Sequence, residues 1–234
     1  MADQKIPSGI WATREASEAR LAEPALIAEA TLIESAFLLI DECINMLASE
    51  QLGHKGYAQV VAVAPNKARR LSFGCFSLVL EGLGQEGGAL LRPLMEWLSV
   101  LEFIRKDPAR AELAFEGRLP KAGKIAQEVA PEFRGLRQFL SKNASHYSFS
   151  PESFQHVLNP SNGTINPVDL PNHRSLAANV QMVLIFLNLT MIECHWALQI
   201  SKVSDAENLL IRIEGLLDET RDVLGESQEM TPAS

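Results

Sequence analysis

Four long segments whose apolar residues recur at helical spacing constrain the fold of this chain more than any other feature of its sequence. They span residues 24–52, 66–106, 131–147 and 173–201, and apolar residues that return every three or four positions are typical of helices that bury one face. A β-branched run at residues 60–64 could form a strand, but we find no second strand to pair with it. The sequence therefore predicts an all-α fold, a helical bundle of about six to eight helices in a single domain.

The ends of the chain and one internal segment fall outside this pattern. Residues 1–22 are polar apart from Trp11, and we expect a partly ordered N-terminal arm that is anchored by this side chain. The helical domain is predicted to cover residues 23–225, with a disordered tail at residues 226–234. Residues 159–173 concentrate prolines and an Asn-Gly pair, which predicts a long loop.

Local signals give two further predictions about helix ends. The glycine-rich stretch 84–88 and Pro93 weaken the middle of the second long segment, so we expect two helices there or one kinked helix. The residues Ser204–Glu207 match a capping box, which predicts the start of the last helix, and Gly225 is expected to end that helix.

The net charge argues against a surface that binds many phosphates. The chain carries 29 acidic and 21 basic residues, a formal net charge of -8, and the acidic residues are spread along the sequence. RNA is therefore disfavoured as a partner. A local basic cluster could still hold a phosphate, because only the field at the site acts on a bound group.

Three features favour a cytoplasmic protein. Cys43, Cys75 and Cys194 lie far apart, without the Cys-x-x-Cys spacing of zinc or redox sites, and are expected to be small buried side chains. The N-terminus lacks a basic start followed by an apolar run, so no secretory signal is expected. The two most apolar segments, residues 25–47 and 180–200, carry charged or polar residues and are interpreted as core helices, not membrane spans.

Arg92 and Glu96 form the first candidate site. They lie four positions apart in the segment ALLRPLMEW, so they share one face of a helix and can pair. They are also the only charged residues between Glu86 and Glu102, and a charge on an apolar helix needs a polar partner. One interpretation is a half-buried structural ion pair; the other is a binding pair that projects into a cleft between helices.

His146 and its neighbours in the segment SKNASHYS form the second candidate site. On a helix, Asn143 and Lys142 lie three and four positions before His146, so an amide and an ammonium group can flank one imidazole. Histidine can act as a general acid or base, which makes these three residues candidates for catalysis. Ser141 is expected to point away from His146 and, with Tyr147, is a candidate for binding. The alternative is a histidine that contacts carbonyl groups at a helix end.

We expect no metal site and no cofactor. The histidines show no metal-ligand spacing. Glu193 and His195 are two positions apart and diverge on a helix, unlike the Glu-x-x-His pairs of di-iron bundles. The glycine stretch 84–88 has no strand before it and is not a phosphate-binding loop.

The order of these motifs resembles two groups of proteins. An apolar helix with ALLRPLMEW, an Asp-Pro break, a charged helix and a helix ending in FLSKNASHYS resemble, over residues 66–150, a family of bacterial helical domains of unknown function. The chain more distantly resembles HEPN domains, four-helix modules of toxins and phage defence, many of which are metal-independent ribonucleases. The HEPN signature is an Arg, commonly followed by Asn, and then a His after four to six residues. Here Lys142 replaces the Arg, and three residues separate it from His146.

The resemblance implies two functions. The first is a binding or scaffold module, a non-catalytic relative of the HEPN class that dimerises and acts in bacterial stress or phage defence, with a further protein as partner. The second is a ribonuclease with His146 as acid or base and with Lys142 or Arg92 stabilising the phosphate charge. The acidic composition and the altered motif favour the first. A homodimer is expected because helices 173–201 and 204–224 carry more apolar surface than one bundle hides easily.

Overall fold

The computed structural model describes residues 9–49, 57–143, 158–159, 163–165 and 173–229. Within these ranges the chain forms nine α-helices and one two-stranded hairpin, which confirms the all-α prediction. The helices are α1 (Ile10–Leu21), α2 (Ile27–Ser49), α3 (Tyr57–Leu80), α4 (Gly84–Lys106), α5 (Arg110–Phe115), α6 (Ala122–Val129), α7 (Arg134–Asn143), α8 (His173–Ser201) and α9 (Glu207–Glu229). Single 3-10 turns at Pro24–Leu26 and Pro131–Phe133 precede α2 and α7. The strands β1 (Leu158–Asn159) and β2 (Thr164–Ile165) pair antiparallel.

The centre of the molecule is formed by α2, α3, α4 and α8, with α9 packed on α2 and α8. Helix α8 shows why the sequence folds this way. Its fully buried side chains return every three or four positions and make one wide apolar face: Val180, Val183, Leu184, Leu187, Met191, Cys194 and Leu198. Burying such a face against the neighbouring helices α2, α3, α4 and α9 is the main source of stability for the bundle.

A second, smaller core lies beside the C-terminal half of α4. It is built from α4, α5 and α6, with Phe103, Ile104, Ile125 and Val129 buried among them. Phe133 of the 3-10 turn packs against both cores. This second core therefore holds residues 130–133 beside α4.

The chain reverses between α3 and α4 before the glycine-rich stretch, not within it. Gly82 adopts a φ of 78° and the Leu83 N–H donates to the Leu78 carbonyl at 2.8 Å, the pattern of a helix end closed by glycine. Residues 84–88 and Pro93 lie inside α4. The prediction of two helices is therefore confirmed, but the break lies at residues 81–83, just before the glycine-rich stretch.

Gly87 shows why one of these glycines is tolerated inside α4. A Cβ atom on Gly87 would lie 3.1 Å from Val79 Cγ2 and 3.2 Å from the Cys75 carbonyl oxygen of α3. The missing side chain lets α3 and α4 approach closely. Local helix propensity, on which the expectation of a break depended, carries no information about this contact.

Three local predictions are wrong. Trp11 does not anchor the N-terminal segment, because its side chain is 86% exposed; α1 is instead attached to α3 by Arg20, which donates to the Leu80 carbonyl. The last helix does not start at Ser204, since Asp205 has a φ of 61° and α9 begins at Glu207. Gly225 does not end α9, which continues to Glu229.

Several predictions fall outside the part of the chain that the structure describes. The predicted loop 159–173 is described only at residue 159, at residues 163–165 and at residue 173, where α8 begins. The predicted disordered tail starts inside α9, and residues 230–234 lie outside the described ranges. The β-branched run 60–64, in contrast, is described and is helical within α3.

Candidate functional site

The structure brings three of the predicted binding residues together at the contact between α4 and α7. Arg92 Nε lies 3.4 Å from Glu96 Oε1, and Arg92 Nη1 donates to Ser141 Oγ at 3.1 Å. Ser141 was expected to point away from His146, and its hydroxyl is turned towards α4. The first candidate site and the end of α7 are therefore neighbours.

The predicted catalytic residues cannot be placed around this contact. His146 and Tyr147 lie outside the described residues, and for Lys142 and Asn143 only the backbone, at the end of α7, is described. Because a charged pair on an apolar helix needs polar partners, we predict that Asn143 and His146 lie within reach of Arg92 and Glu96. Arg92 and Glu96 are each about one third exposed, and an ion pair in such a position contributes only about 0.5 kcal/mol.

A more deeply buried ion pair, which the sequence analysis missed, joins α4 to α8. Arg105 Nε donates to both carboxylate oxygens of Glu193, at 3.2 Å and 3.0 Å. Glu193 is only 9% exposed. The two residues are 88 positions apart in the chain, so no helical spacing relates them.

Other charged and aromatic groups hold Arg105 in place. Glu102 Oε1 lies 4.0 Å from Arg105 Nη2 and 2.9 Å from Lys106 Nζ, so the last two turns of α4 form a small charge network. The guanidinium carbon of Arg105 lies 5.5 Å from the centre of the Trp196 ring, within the range of a cation–π contact. Arg105 is thus contacted by two carboxylates and one indole.

Burial dominates the electrostatics of this cluster. Burial raises the pKa of Glu193 above its ordinary value; the hydrogen bond and the charge of Arg105 oppose the rise, Glu102 adds to it and Lys106 opposes it. Burial and then the charge of Glu193 raise the pKa of Tyr57, at the start of α3, to about 12, while Arg105 acts in the opposite direction. Arg105 therefore compensates only part of the cost of burying the Glu193 carboxylate.

Replacing Glu193 with glutamine should change how stability depends on pH. Because the pKa of Glu193 is raised in the folded state, the native protein binds more protons than the unfolded chain at pH values between the two pKa values. The free energy of unfolding of wild type therefore decreases as pH rises through that range. Glu193→Gln cannot ionise. The stability of this variant relative to wild type is therefore expected to increase as pH rises above the ordinary pKa of a glutamate carboxyl group.

Urea unfolding at several pH values measures this difference. Glu219→Gln, which removes an exposed carboxylate from α9, is the matched control and should follow the wild-type curve more closely. A difference between Glu193→Gln and wild type that is constant across the pH range would show that Glu193 has no raised pKa.

A cavity of about 230 Å³ lies beside the ion pair, between α4, α8 and residues 130–133. Its charged lining consists of Glu102, Arg105, Glu132 and Glu193. Its larger apolar lining consists of Met95, Leu98, Phe133, Phe186, Leu189 and Ile192. An apolar pocket with a few charged groups at one side is typical of sites for small molecules.

His195 lies on a different side of α8 from Glu193. Its Nε2 atom is 3.0 Å from Glu214 Oε1 of α9, whereas Glu193 faces α4. The expected divergence of these two side chains is confirmed. Among the described residues, no group of three or more His, Cys, Asp or Glu side chains is placed to hold a metal ion.

The three cysteines are buried and free, as the sequence predicts for small core side chains. Cys43 Sγ of α2 donates to the Cys194 carbonyl of α8 at 3.7 Å. Burial raises the pKa of Cys75 to about 12, and the contact with Cys43, followed by burial, raises the pKa of Cys194. Thiolates, the reactive form, are therefore disfavoured at Cys75 and Cys194.

One described segment, Leu176–Ser201 of α8, is long and apolar enough to cross a membrane by length and composition. Core helices of water-soluble proteins meet the same criteria, and α8 contacts α2, α3, α4 and α9.

Comparisons of this chain with protein-family models, with curated proteins and with solved structures give no match. Function is therefore inferred from the residues of the site alone.

Proposed function

We propose that this chain is a helical binding module and that the cavity between α4 and α8 is its ligand site. The observation that carries the proposal is the Arg105–Glu193 ion pair, which is buried yet lines a cavity. A buried ion pair gives little net stability, because the cost of desolvating both charges offsets their attraction. Charges that face an otherwise apolar cavity can, in contrast, orient a bound molecule.

The cavity lining favours binding over covalent chemistry. Of the described residues that line it, none is a histidine or a cysteine. The hydroxyl of Ser99 donates to the Met95 carbonyl of its own helix at 2.8 Å and has no base beside it among the lining residues.

A screen of small compounds against a variant with a filled cavity tests the proposal. Ser99→Leu adds apolar bulk to the lining, and Ala62→Leu adds similar bulk to a separate apolar groove on α3. A library of cationic, neutral and anionic compounds, each with about 15 non-hydrogen atoms or fewer, is added during thermal unfolding. A ligand that binds only the native state raises the midpoint.

Some compounds are expected to raise the midpoint of wild type and of Ala62→Leu, and to leave Ser99→Leu unchanged. No shift with any compound, or equal shifts in all three proteins, would contradict the proposal.

The proposed module acts in the cytoplasm and as a homodimer. Ile185 and Trp196 of α8 lie eleven positions apart, three turns along one side of the helix, and both are more than one third exposed. Ile211 of α9 is exposed as well. A second copy of the chain would cover such apolar side chains.

Light scattering is expected to give twice the chain mass of 25.7 kDa at micromolar concentration. Ile211→Glu should shift the population towards the monomer, whereas Val63→Glu, on the exposed side of α3, should not. A monomer mass for wild type would contradict the dimer.

A ribonuclease is the second candidate function. One observation favours it: the Arg92–Ser141 hydrogen bond places a guanidinium group beside α7, the helix that ends in Lys142 and Asn143. A guanidinium group can bind a phosphate with two parallel hydrogen bonds. The ammonium group of Lys142 is a point charge and cannot reproduce this geometry.

We expect the purified protein not to cleave RNA at a useful rate, because Lys142 replaces the arginine of the motif and the chain is acidic. Wild type, His146→Ala and Arg92→Ala are incubated with a labelled RNA pool and a chelator. Cleavage by wild type that is lost in His146→Ala would make the ribonuclease the leading function.

A further inference from the structure

We infer that the cavity between α4 and α8 binds a compact organic cation, an ammonium group on an apolar body, with the ammonium against Glu193 and Glu102. This inference rests on the proposed function, because it assigns a ligand class to the same cavity.

The charges around the cavity favour a cation. Three carboxylates line it, Glu102, Glu132 and Glu193, against the single guanidinium of Arg105. Lys106 lies outside the lining and pairs with Glu102. When Glu193 is ionised, the three carboxylates outnumber the cations Arg105 and Lys106, so the field in the cavity is negative and repels an anion.

Arg105 cannot easily serve as an anion receptor. Its Nε donates to both oxygens of Glu193, its Nη2 lies near Glu102, and its guanidinium contacts the ring of Trp196. An anion at the terminal nitrogens of Arg105 would lie beside Glu102 and Glu193 and would compete with both carboxylates for the guanidinium group.

Glu193 has unused capacity for a second cation. A carboxylate has about four lone-pair positions, and Arg105 Nε occupies only part of them. The raised pKa of Glu193 shows that Arg105 does not fully stabilise its ionised form. An ammonium group at the cavity side would add a charge-assisted hydrogen bond where it is most effective, in a partly desolvated position.

The remaining walls define the rest of the ligand. Phe133, Phe186, Met95 and Leu98 offer only apolar surface, so the body that follows the ammonium group must be apolar. A volume of about 230 Å³ fits one aromatic ring with a short chain and excludes a nucleotide or a folded peptide segment.

Cation binding should depend on pH in a defined direction. The ammonium group favours ionised Glu193, so affinity should rise as pH increases through the pKa of Glu193 in the free protein. The other titratable or charged groups near Glu193 are Glu102, Arg105 and Lys106 of α4, Tyr57 of α3, the neighbouring Cys194 of α8, and Glu132, which lines the same cavity. The pKa of Tyr57 is about 12, so its hydroxyl group stays protonated while Glu193 titrates.

Isothermal calorimetry with three probes of the same shape tests the inference. The probes are phenethylammonium, 2-phenylethanol and 3-phenylpropionate, which carry a positive charge, no charge and a negative charge. Wild type is expected to bind phenethylammonium at least about tenfold more tightly than the other two, since one charge-assisted hydrogen bond is worth a factor of ten or more. This ranking needs only the wild-type protein.

Variants then locate the binding. Glu193→Gln should weaken phenethylammonium binding about tenfold or more, and Ser99→Leu should abolish it. Glu214→Gln removes an equal charge from an exposed position on α9 and should leave the affinity unchanged.

The outcomes separate the two proposals. Equal or tighter binding of 2-phenylethanol or 3-phenylpropionate that is lost in Ser99→Leu would overturn the cation and keep the ligand site. Binding of phenethylammonium that is insensitive to Glu193→Gln and Ser99→Leu would also overturn the inference. If phenethylammonium does not bind but other library compounds do, only the assignment of a cation is overturned. If no compound binds, the proposal of a ligand site is overturned as well.

Discussion

Replacing Arg105 with methionine is expected to lower the free energy of unfolding by about 3 kcal/mol. The reason is that Glu193 stays buried at 9% exposure and loses the donor that contacts both of its oxygens. The double variant Arg105→Met, Glu193→Leu replaces both charges with apolar side chains and should recover most of the loss. Urea unfolding measures all three proteins.

The matched control is an exposed ion pair. Arg212 of α9 lies 2.7 Å from Glu42 of α2, and both side chains are more than 40% exposed. Arg212→Met should therefore cost less than about 1 kcal/mol. A loss in Arg105→Met as small as in Arg212→Met would show that Glu193 does not depend on Arg105. The loss in Arg105→Met should also shrink at acid pH, where Glu193 takes up a proton.

Truncation of a single side chain on α8 is expected to have a similarly large effect. Leu184 is fully buried among α8 and its neighbours, so Leu184→Ala leaves a cavity and should cost about 3 kcal/mol. Ile185, the next residue, is 37% exposed, and Ile185→Ala should cost less than about 1 kcal/mol. Equal losses in the two variants would mean that α8 does not present this face to the core.

The fold was predictable because it depends on one repeated pattern. The apolar positions of α8, such as Val180, Leu184 and Leu187, mark its buried face in the sequence itself. The errors fall where local signals compete with tertiary contacts. The glycine-rich stretch 84–88 suggested a break, but Gly87 instead lets α3 and α4 approach closely. The segment Ser204–Glu207 suggested a helix start, but Asp205 has a φ of 61° and the helix starts only at Glu207.

Of the candidate site residues, only those that are close together in the sequence could be predicted. Arg92 and Glu96 share one helix face, so their spacing alone indicated the pair. Arg105 and Glu193 meet only because α4 packs against α8, and no local pattern encodes that contact. One signal was present: Glu193 is the only Asp, Glu, Lys or Arg between residues 175 and 201, and a lone charge on an apolar helix needs a partner.

Methyl NMR of the protein titrated with phenethylammonium tests the central claim most directly, because it reports where a ligand lies. The claim predicts that the methyl resonances of Met95 and Ile192, which line the cavity, shift in proportion to occupancy, while that of Ile211, exposed on α9, stays in place. Shifts at Ile211 or at Val63, with Met95 and Ile192 unchanged, would contradict it.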